Sequence, residues 1–131
     1  MATEIQLDIV TPEKGVFSGK VLQVILPAWE GQEGVLPDHD AKLELLRGGV
    51  CTVVTSQGDT RYAIGRGFAE VGQDRVTLLC DSCDEASTVD KGAVQTELSE
   101  LRAKLSTQDW VSEAANSTKV AIELAEAKLE A

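Results

Sequence analysis

Two cysteines three residues apart and a single histidine closing a glycine-punctuated loop are the places in this 131-residue chain where side-chain chemistry could reside. Cys80 Asp81 Ser82 Cys83 has the spacing of a redox dithiol or of half a zinc site. A closed zinc site takes four ligands, and only Cys51 and His39 remain to complete one, neither of them near in sequence, so no metal is expected. The thiols are read as free, Cys80 at a strand end and Cys83 in the loop that follows. Any Ser-His-Asp or Cys-His machinery would have to be built on His39, which in a loop after Pro37 reads instead as a contact residue. Arg66 Gly67 Phe68 Ala69 Glu70 Val71 superficially matches the central strand of an RNA-recognition motif, but Glu70 stands where that motif needs an aromatic for base stacking. Gly65 x Gly67 is followed by no helix, and no phosphate-gripping Gly-x-x-x-x-Gly-Lys-Ser/Thr stretch is present. The chain is therefore expected to hold no catalytic residue, no nucleotide site and no cofactor.

The residues 30–39, Glu30 Gly31 Gln32 Glu33 Gly34 Val35 Leu36 Pro37 Asp38 His39, are the most specific stretch. Gly31 and Gly34 permit positive φ, Val35 and Leu36 suit a pleated surface, and Pro37 must end a strand or lie at a sheet edge. Asp38 and His39 then fall on an exposed turn. Around this loop the first two thirds of the chain alternates with period two: Ile5, Leu7 and Ile9; Leu43 and Leu45 about Glu44; Tyr62 and Ile64 about Ala63; Val76, Leu78 and Cys80. Turn signals at Lys14 Gly15, Gly48 Gly49, Gln57 Gly58 Asp59 and Gly72 Gln73 Asp74 separate these runs, the spacing of an antiparallel sandwich or flattened barrel. After Val89 the period becomes helical. Val94, Leu98, Leu101 and Leu105 line one face, and Val111, Ala115, Thr118, Ile122, Ala125 and Leu129 line another, with N-cap candidates at Ser106 Thr107 Gln108 Asp109. A short break of this kind predicts an antiparallel hairpin, and the polar stretch from Asp84 to Thr88 reads as a hinge. The expected fold is an N-terminal antiparallel β-sandwich over residues 1–86, able to fold alone, followed by a C-terminal α-helical hairpin over 87–131.

Twenty-two acidic against twelve basic residues give a net charge of −10, with the basic ones scattered singly, which argues against nucleic acid and anionic lipid as partners. The N-terminal residues carry neither a positive leader nor a long apolar run, so no signal peptide or membrane insertion is expected. Three cysteines are an odd, sparse set that suits a reducing compartment.

Gly34 Val35 Leu36 Pro37 x His39 after a Gly-x-Glu loop resembles the signature of the ε subunit of the bacterial-type F-type ATP synthase. Leu7 Asp8 Ile9 Val10 Thr11 Pro12 Glu13 with Val16 Phe17 Ser18 Gly19 resembles that family's opening strand and turn, and Gly67 Phe68 Ala69 Glu70 Val71 with Val76 Thr77 Leu78 Leu79 its last hairpin. The resemblance implies a non-catalytic rotor subunit of the central stalk, at the cytoplasmic face of the bacterial plasma membrane. Its sandwich would clamp the γ subunit to the c ring, and its helices would reach the catalytic α/β head and modulate ATP hydrolysis. By position, Glu30, Gly31, Gln32, Glu33 and His39 inherit partner contacts. The chain departs from the pattern in three places: the loop acid appears at Glu33 rather than Gln32, Asp38 replaces a common glycine, and Ala41 a common proline. A free-standing sandwich that captures a ligand or peptide is the alternative reading, and a small thiol enzyme built on Cys80 and Cys83 a further one. The small residues of the second helix imply a loosely docked, movable hairpin, and its acidic face implies modest inhibition.

Some ε subunits bind ATP through Ile/Leu-Asp-x-x-Arg-Ala at the start of the first helix. The aligned residues here are Val89 Asp90 Lys91 Gly92 Ala93 Val94, which lack the arginine. Without a guanidinium to meet the phosphates, ATP is expected to bind very weakly or not at all, and a micromolar dissociation constant by calorimetry would refute this.

Overall fold

The computed structural model describes residues 3–131. Ten strands come first: β1 (Ile5–Val10), β2 (Gly15–Val21), β3 (Gln23–Ala28), β4 (Gly31–Val35), β5 (Lys42–Leu46), β6 (Gly49–Thr55), β7 (Gly58–Ile64), β8 (Gly67–Val71), β9 (Arg75–Cys80) and β10 (Cys83–Glu85). A 3-10 turn over Ala86–Thr88 leads to α1 (Lys91–Ser106) and α2 (Glu113–Glu130), so the expected sandwich followed by a helical hairpin is what the chain forms.

The strands run in the order β10, β7, β6, β3, β5, β8, β9, β1, β2, with β4 also paired to β3. This ribbon closes into two layers because β3 meets β5 through one residue pair only, Ala28 with Leu46. Alternation then decides what lies between the layers: Ile5, Leu7 and Ile9 from β1, Val24 and Leu26 from β3, and Val76, Leu78 and Cys80 from β9 share one buried cluster.

Five connections cross from layer to layer, those between β2 and β3, β4 and β5, β5 and β6, β7 and β8, and β9 and β10. Leu22, between β2 and β3, donates its N–H to the Val54 carbonyl at 2.8 Å. The connections β7 to β8 and β9 to β10 cross side by side, with Ile64 opposite Cys83, Gly67 opposite Cys80, and no change of register between them. Two 2.9 Å bonds bridge that corner, from the Asp81 N–H to the Arg66 carbonyl and from the Gly65 N–H to the Ser82 carbonyl. Gly67 is obligatory here, since a Cβ would lie 2.0 Å from the Leu79 carbonyl oxygen.

Several local expectations are corrected. β1 and β9 pair in parallel, while every other pairing is antiparallel. Turn residues announce only neighbours consecutive in the chain, and this pair forms through closure. Asp84 and Glu85 are not hinge residues; they pair with Ala63 and Tyr62, because the open edge of β7 offers backbone groups that need partners. Tyr62, Ala63 and Ile64 are all buried, since α2 covers β7 on the side away from the core. Leu43 and Leu45 alternate as expected but point outward, 64% and 61% exposed. Period two fixes that they share a face without saying which one. Gly31 has positive φ (133°), whereas Gly34 does not; the left-handed residue of the loop is Asp38, at φ 65°. The cap of α2 is Ser112, whose Oγ accepts from the Ala115 N–H at 3.0 Å, so Val111 lies ahead of the helix and is exposed.

Gly67→Ala is expected to cost about 2–3 kcal/mol, because backbone rather than a yielding side chain opposes the new methyl. A lowered midpoint in chemical denaturation with an unchanged slope checks it.

Candidate partner-binding surface

The loop singled out in the sequence is a β-hairpin. Gly31 turns the chain from β3 into β4, and Pro27, Leu26 and Ile25 pair with Gln32, Glu33 and Gly34. Glu30, Gly31, Gln32 and Glu33 line one shallow cleft of about 370 Å³ together with Lys42 and Glu44. Glu33 is ion-paired to Lys42 and lies 3.8 Å from His39 Nε2, and Lys42 also reaches Glu44 at 3.5 Å. His39 Nδ1 donates to its neighbour's carbonyl, Asp40, at 3.0 Å. The structure thus joins Glu33 and His39 in one half-buried charge cluster. Glu30, Gly31 and Gln32 stand exposed at the other end of β4.

Beside this hairpin lies a surface the sequence reading missed. Leu45 pairs with Phe68 and Phe68 with Leu79, so a row of apolar side chains crosses β5, β8 and β9 on the outer face. Leu43, Leu45, Phe68, Trp29 and the loop residue Leu36 are all exposed. The row runs into a cleft of about 570 Å³ lined by Val10, Pro12, Phe68, Leu79 and Cys80. Clustered exposure of this kind marks a contact surface rather than ordinary scatter. Phe17, by contrast, packs against the core.

The second unforeseen feature holds the hairpin down. Val94 and Leu98 of α1 pack on Ala125 of α2, with Leu101, Ile122 and Leu129 at the margins, and Asp90 caps α1 by accepting from the Ala93 N–H at 3.1 Å. The small residues of α2 bury little area, as expected, but Glu123 supplies what they lack. Its carboxylate takes both arms of the Arg66 guanidinium, Nε at 3.0 Å and Nη2 at 3.0 Å, and the Gly48 N–H at 2.5 Å. A Cβ on Gly48 would sit 2.6 Å from Glu123 Oε1, so a side chain there would push the carboxylate off this N–H. Arg66 in turn lies over the Trp29 ring, 5.0 Å from its centroid. Burial raises the Glu123 pKa, and the Arg66 and Gly48 hydrogen bonds, with the nearby Arg47 charge, outweigh it and hold the carboxyl below its ordinary 4.5. Arg66 and Glu123 are 57 residues apart, and nothing in local sequence links them.

Among the described residues no group of His, Cys, Asp and Glu is placed to hold a metal ion, and no helix is long and apolar enough to cross a membrane. The fold and surfaces define a class: a β-sandwich that carries a helical hairpin latched to the outer side of one layer and offers faces rather than a deep cavity. Residues 4–86 match the family described as ATP synthase, Delta/Epsilon chain, beta-sandwich domain, and the chain belongs to that family. It is 36% identical over 102 residues to the ATP synthase epsilon chain of Maricaulis maris, covering 78% of this chain and 77% of that one. It is 39% identical over 105 residues to the epsilon chain of Bradyrhizobium sp. (strain ORS 278), covering 80% and 77%. A chain in the Euglena gracilis mitochondrial ATP synthase, solved as an OSCP/F1/c-ring assembly, superposes with TM-score 0.85 at 25% identity over 99% of this chain and 81% of that one. One in the Tetrahymena thermophila mitochondrial ATP synthase central stalk/c-ring shares the fold, with TM-score 0.63 at 13% identity over 96% and 94%.

Because the folded Glu123 pKa is depressed, its contribution is complete above pH 4.5 and is lost as pH falls through the folded value. Glu123→Gln is expected to weaken α2 docking by about 1–2 kcal/mol after allowance for solvent screening, and to remove this acid-sensitive part. Faster amide exchange in residues 113–130 with unchanged exchange in β1 and β9 checks it.

Proposed function

We propose that this chain is the ε subunit of a bacterial-type F-type ATP synthase, a non-catalytic part of the central stalk that joins the γ subunit to the c ring and passes ring rotation on as torque. The observation that carries the reading is family membership over residues 4–86, together with a likeness over 99% of the chain to a chain in an OSCP/F1/c-ring assembly of an ATP synthase. The complex sits at the plasma membrane, and this subunit acts on its cytoplasmic face.

A torque-bearing clamp must be stiff and must bind on two surfaces. The closed two-layer ladder supplies stiffness, since its backbone bonds resist shear together. The outer apolar row of Leu43, Leu45 and Phe68 suits a large, dry contact with the γ subunit. The polar β3–β4 hairpin and the loop after it, with Glu30, Gly31, Gln32, Glu33 and His39, suit the more polar contact to the c ring. Residues 1–86 act as the clamp and 87–131 as the regulatory element, whose helices reach the α/β head when the Arg66–Glu123 contact opens. No residue of the chain takes part in the chemistry of ATP.

Full-length protein is expected to capture γ subunit and c ring from a membrane extract. Leu45→Glu with Phe68→Glu, both exposed, is expected to reduce γ binding by at least about 100-fold while leaving the thermal midpoint nearly unchanged. Glu33→Lys is expected to weaken capture of the c ring selectively. Undiminished γ capture by the double variant would overturn the assignment of that face, and capture of neither partner by the wild-type protein would overturn the function.

A further inference from the structure

Trp29 stands where the two layers meet. Ala28 and Leu46, the one residue pair that joins β3 to β5, are both buried, so Trp29 and Leu45 beside them turn outward and are 49% and 61% exposed. The Trp29 N–H donates to the Leu45 carbonyl at 3.1 Å, which fixes the backbone of the indole beside the apolar row. On one side of this junction lies the outer face with Leu43, Leu45 and Phe68. On the other lies the layer that α2 covers through β6 and β7.

Arg66 spans the junction. Its two partners use different parts of one planar cation: Glu123 takes Nε and Nη2, each at 3.0 Å, while the Trp29 ring lies against the charge, with Cζ 5.0 Å from the ring centroid. The two contacts therefore reinforce each other rather than compete. Fixing a long, flexible side chain is the main cost of an ion pair this exposed, and the ring lowers that cost by holding the guanidinium where α2 presents Glu123. In the other direction, Glu123 keeps Arg66 over the indole and so restricts the indole's own rotamers. About half of the Trp29 surface is still open to water, which weakens the attraction between ring and cation.

We propose that Trp29 couples the outer apolar face to the helical hairpin: a partner that covers Trp29 tightens the docking of α2, and a docked α2 raises the affinity of the face for that partner. The inference rests on the reading that the γ subunit covers the apolar row. A dry protein surface laid on the open side of the indole shields ring and guanidinium from water and strengthens their attraction. It also immobilises the ring, so less freedom remains to be lost when Arg66 grips Glu123. Linkage makes the effect equal in the two directions. Occupancy of the stalk face thus sets how firmly the hairpin is held.

The test uses the full-length protein and isolated γ subunit. With γ at saturation, amide exchange in residues 113–130 is expected to slow by at least about fivefold relative to the free chain. Glu123→Gln, a change on α2 away from the apolar row, is expected to weaken γ binding by a similar factor. In the Trp29→Leu protein γ binding is expected to be weaker at the outset, saturation with γ to leave exchange in 113–130 unchanged, and added Glu123→Gln to cost no further affinity. Equal γ affinity of the wild-type and Glu123→Gln proteins would overturn the coupling and leave the functional reading standing. Persistence of both effects in Trp29→Leu would overturn the role of Trp29. A wild-type protein that does not bind γ would overturn the functional reading, and the coupling with it.

Discussion

The structure depends on one corner. There the β7–β8 and β9–β10 segments cross together from one layer of the sandwich to the other, in unbroken register. A sheet this long can bury both inner faces only if its strands change layer, and each change breaks the ladder unless the backbone groups at the bend find partners. The Arg66 and Ser82 carbonyls provide them, and Gly67 provides the clearance. Arg66 leaves this corner to hold Glu123, Phe68 leaves it to begin the exposed apolar row, and Cys80 and Cys83 flank its bend, the first in the core and the second packed against it. Stiffness, hairpin docking and the outer face thus share one backbone feature.

The two ways of holding the hairpin differ in physical kind. The seam of α2 is made of Ala115, Thr118 and Ala125, which remove little apolar area from water. The Arg66–Glu123–Gly48 contact is short, directional and partly desolvated, so it fixes where α2 sits more than how strongly. Lys91 Nζ to the Leu129 carbonyl at 3.2 Å and Lys128 to Asp84 at 3.8 Å add exposed links of small value. A helix pair held by a few such contacts can be released by a partner that competes for Glu123 or Arg66, whereas an apolar seam of Leu and Ile would resist release.

Much of this was legible in the sequence. Ile5, Leu7, Ile9, Val76, Leu78 and Cys80 announced the core by period two, Val94 and Leu98 announced the helical seam, and the blocks around residues 31–39 and 67–79 announced the family. Asp90 reads in sequence as part of a nucleotide motif, and its place as the cap of α1 accounts for it structurally. Leu43 and Leu45 were seen as a pair on one face, yet their exposure was invisible, because alternation is the same for a face turned in and a face turned out.

The sequence by itself determined the element types, their order and a charge that argues against nucleic acid, because these follow from local spacing and from sums over residues. Only the tertiary structure decided the parallel pairing of β1 with β9, the outward apolar row, and the grip of Arg66 on Glu123. Each of these joins residues whose contact depends on where the chain turns in space. Local propensity carries no record of that.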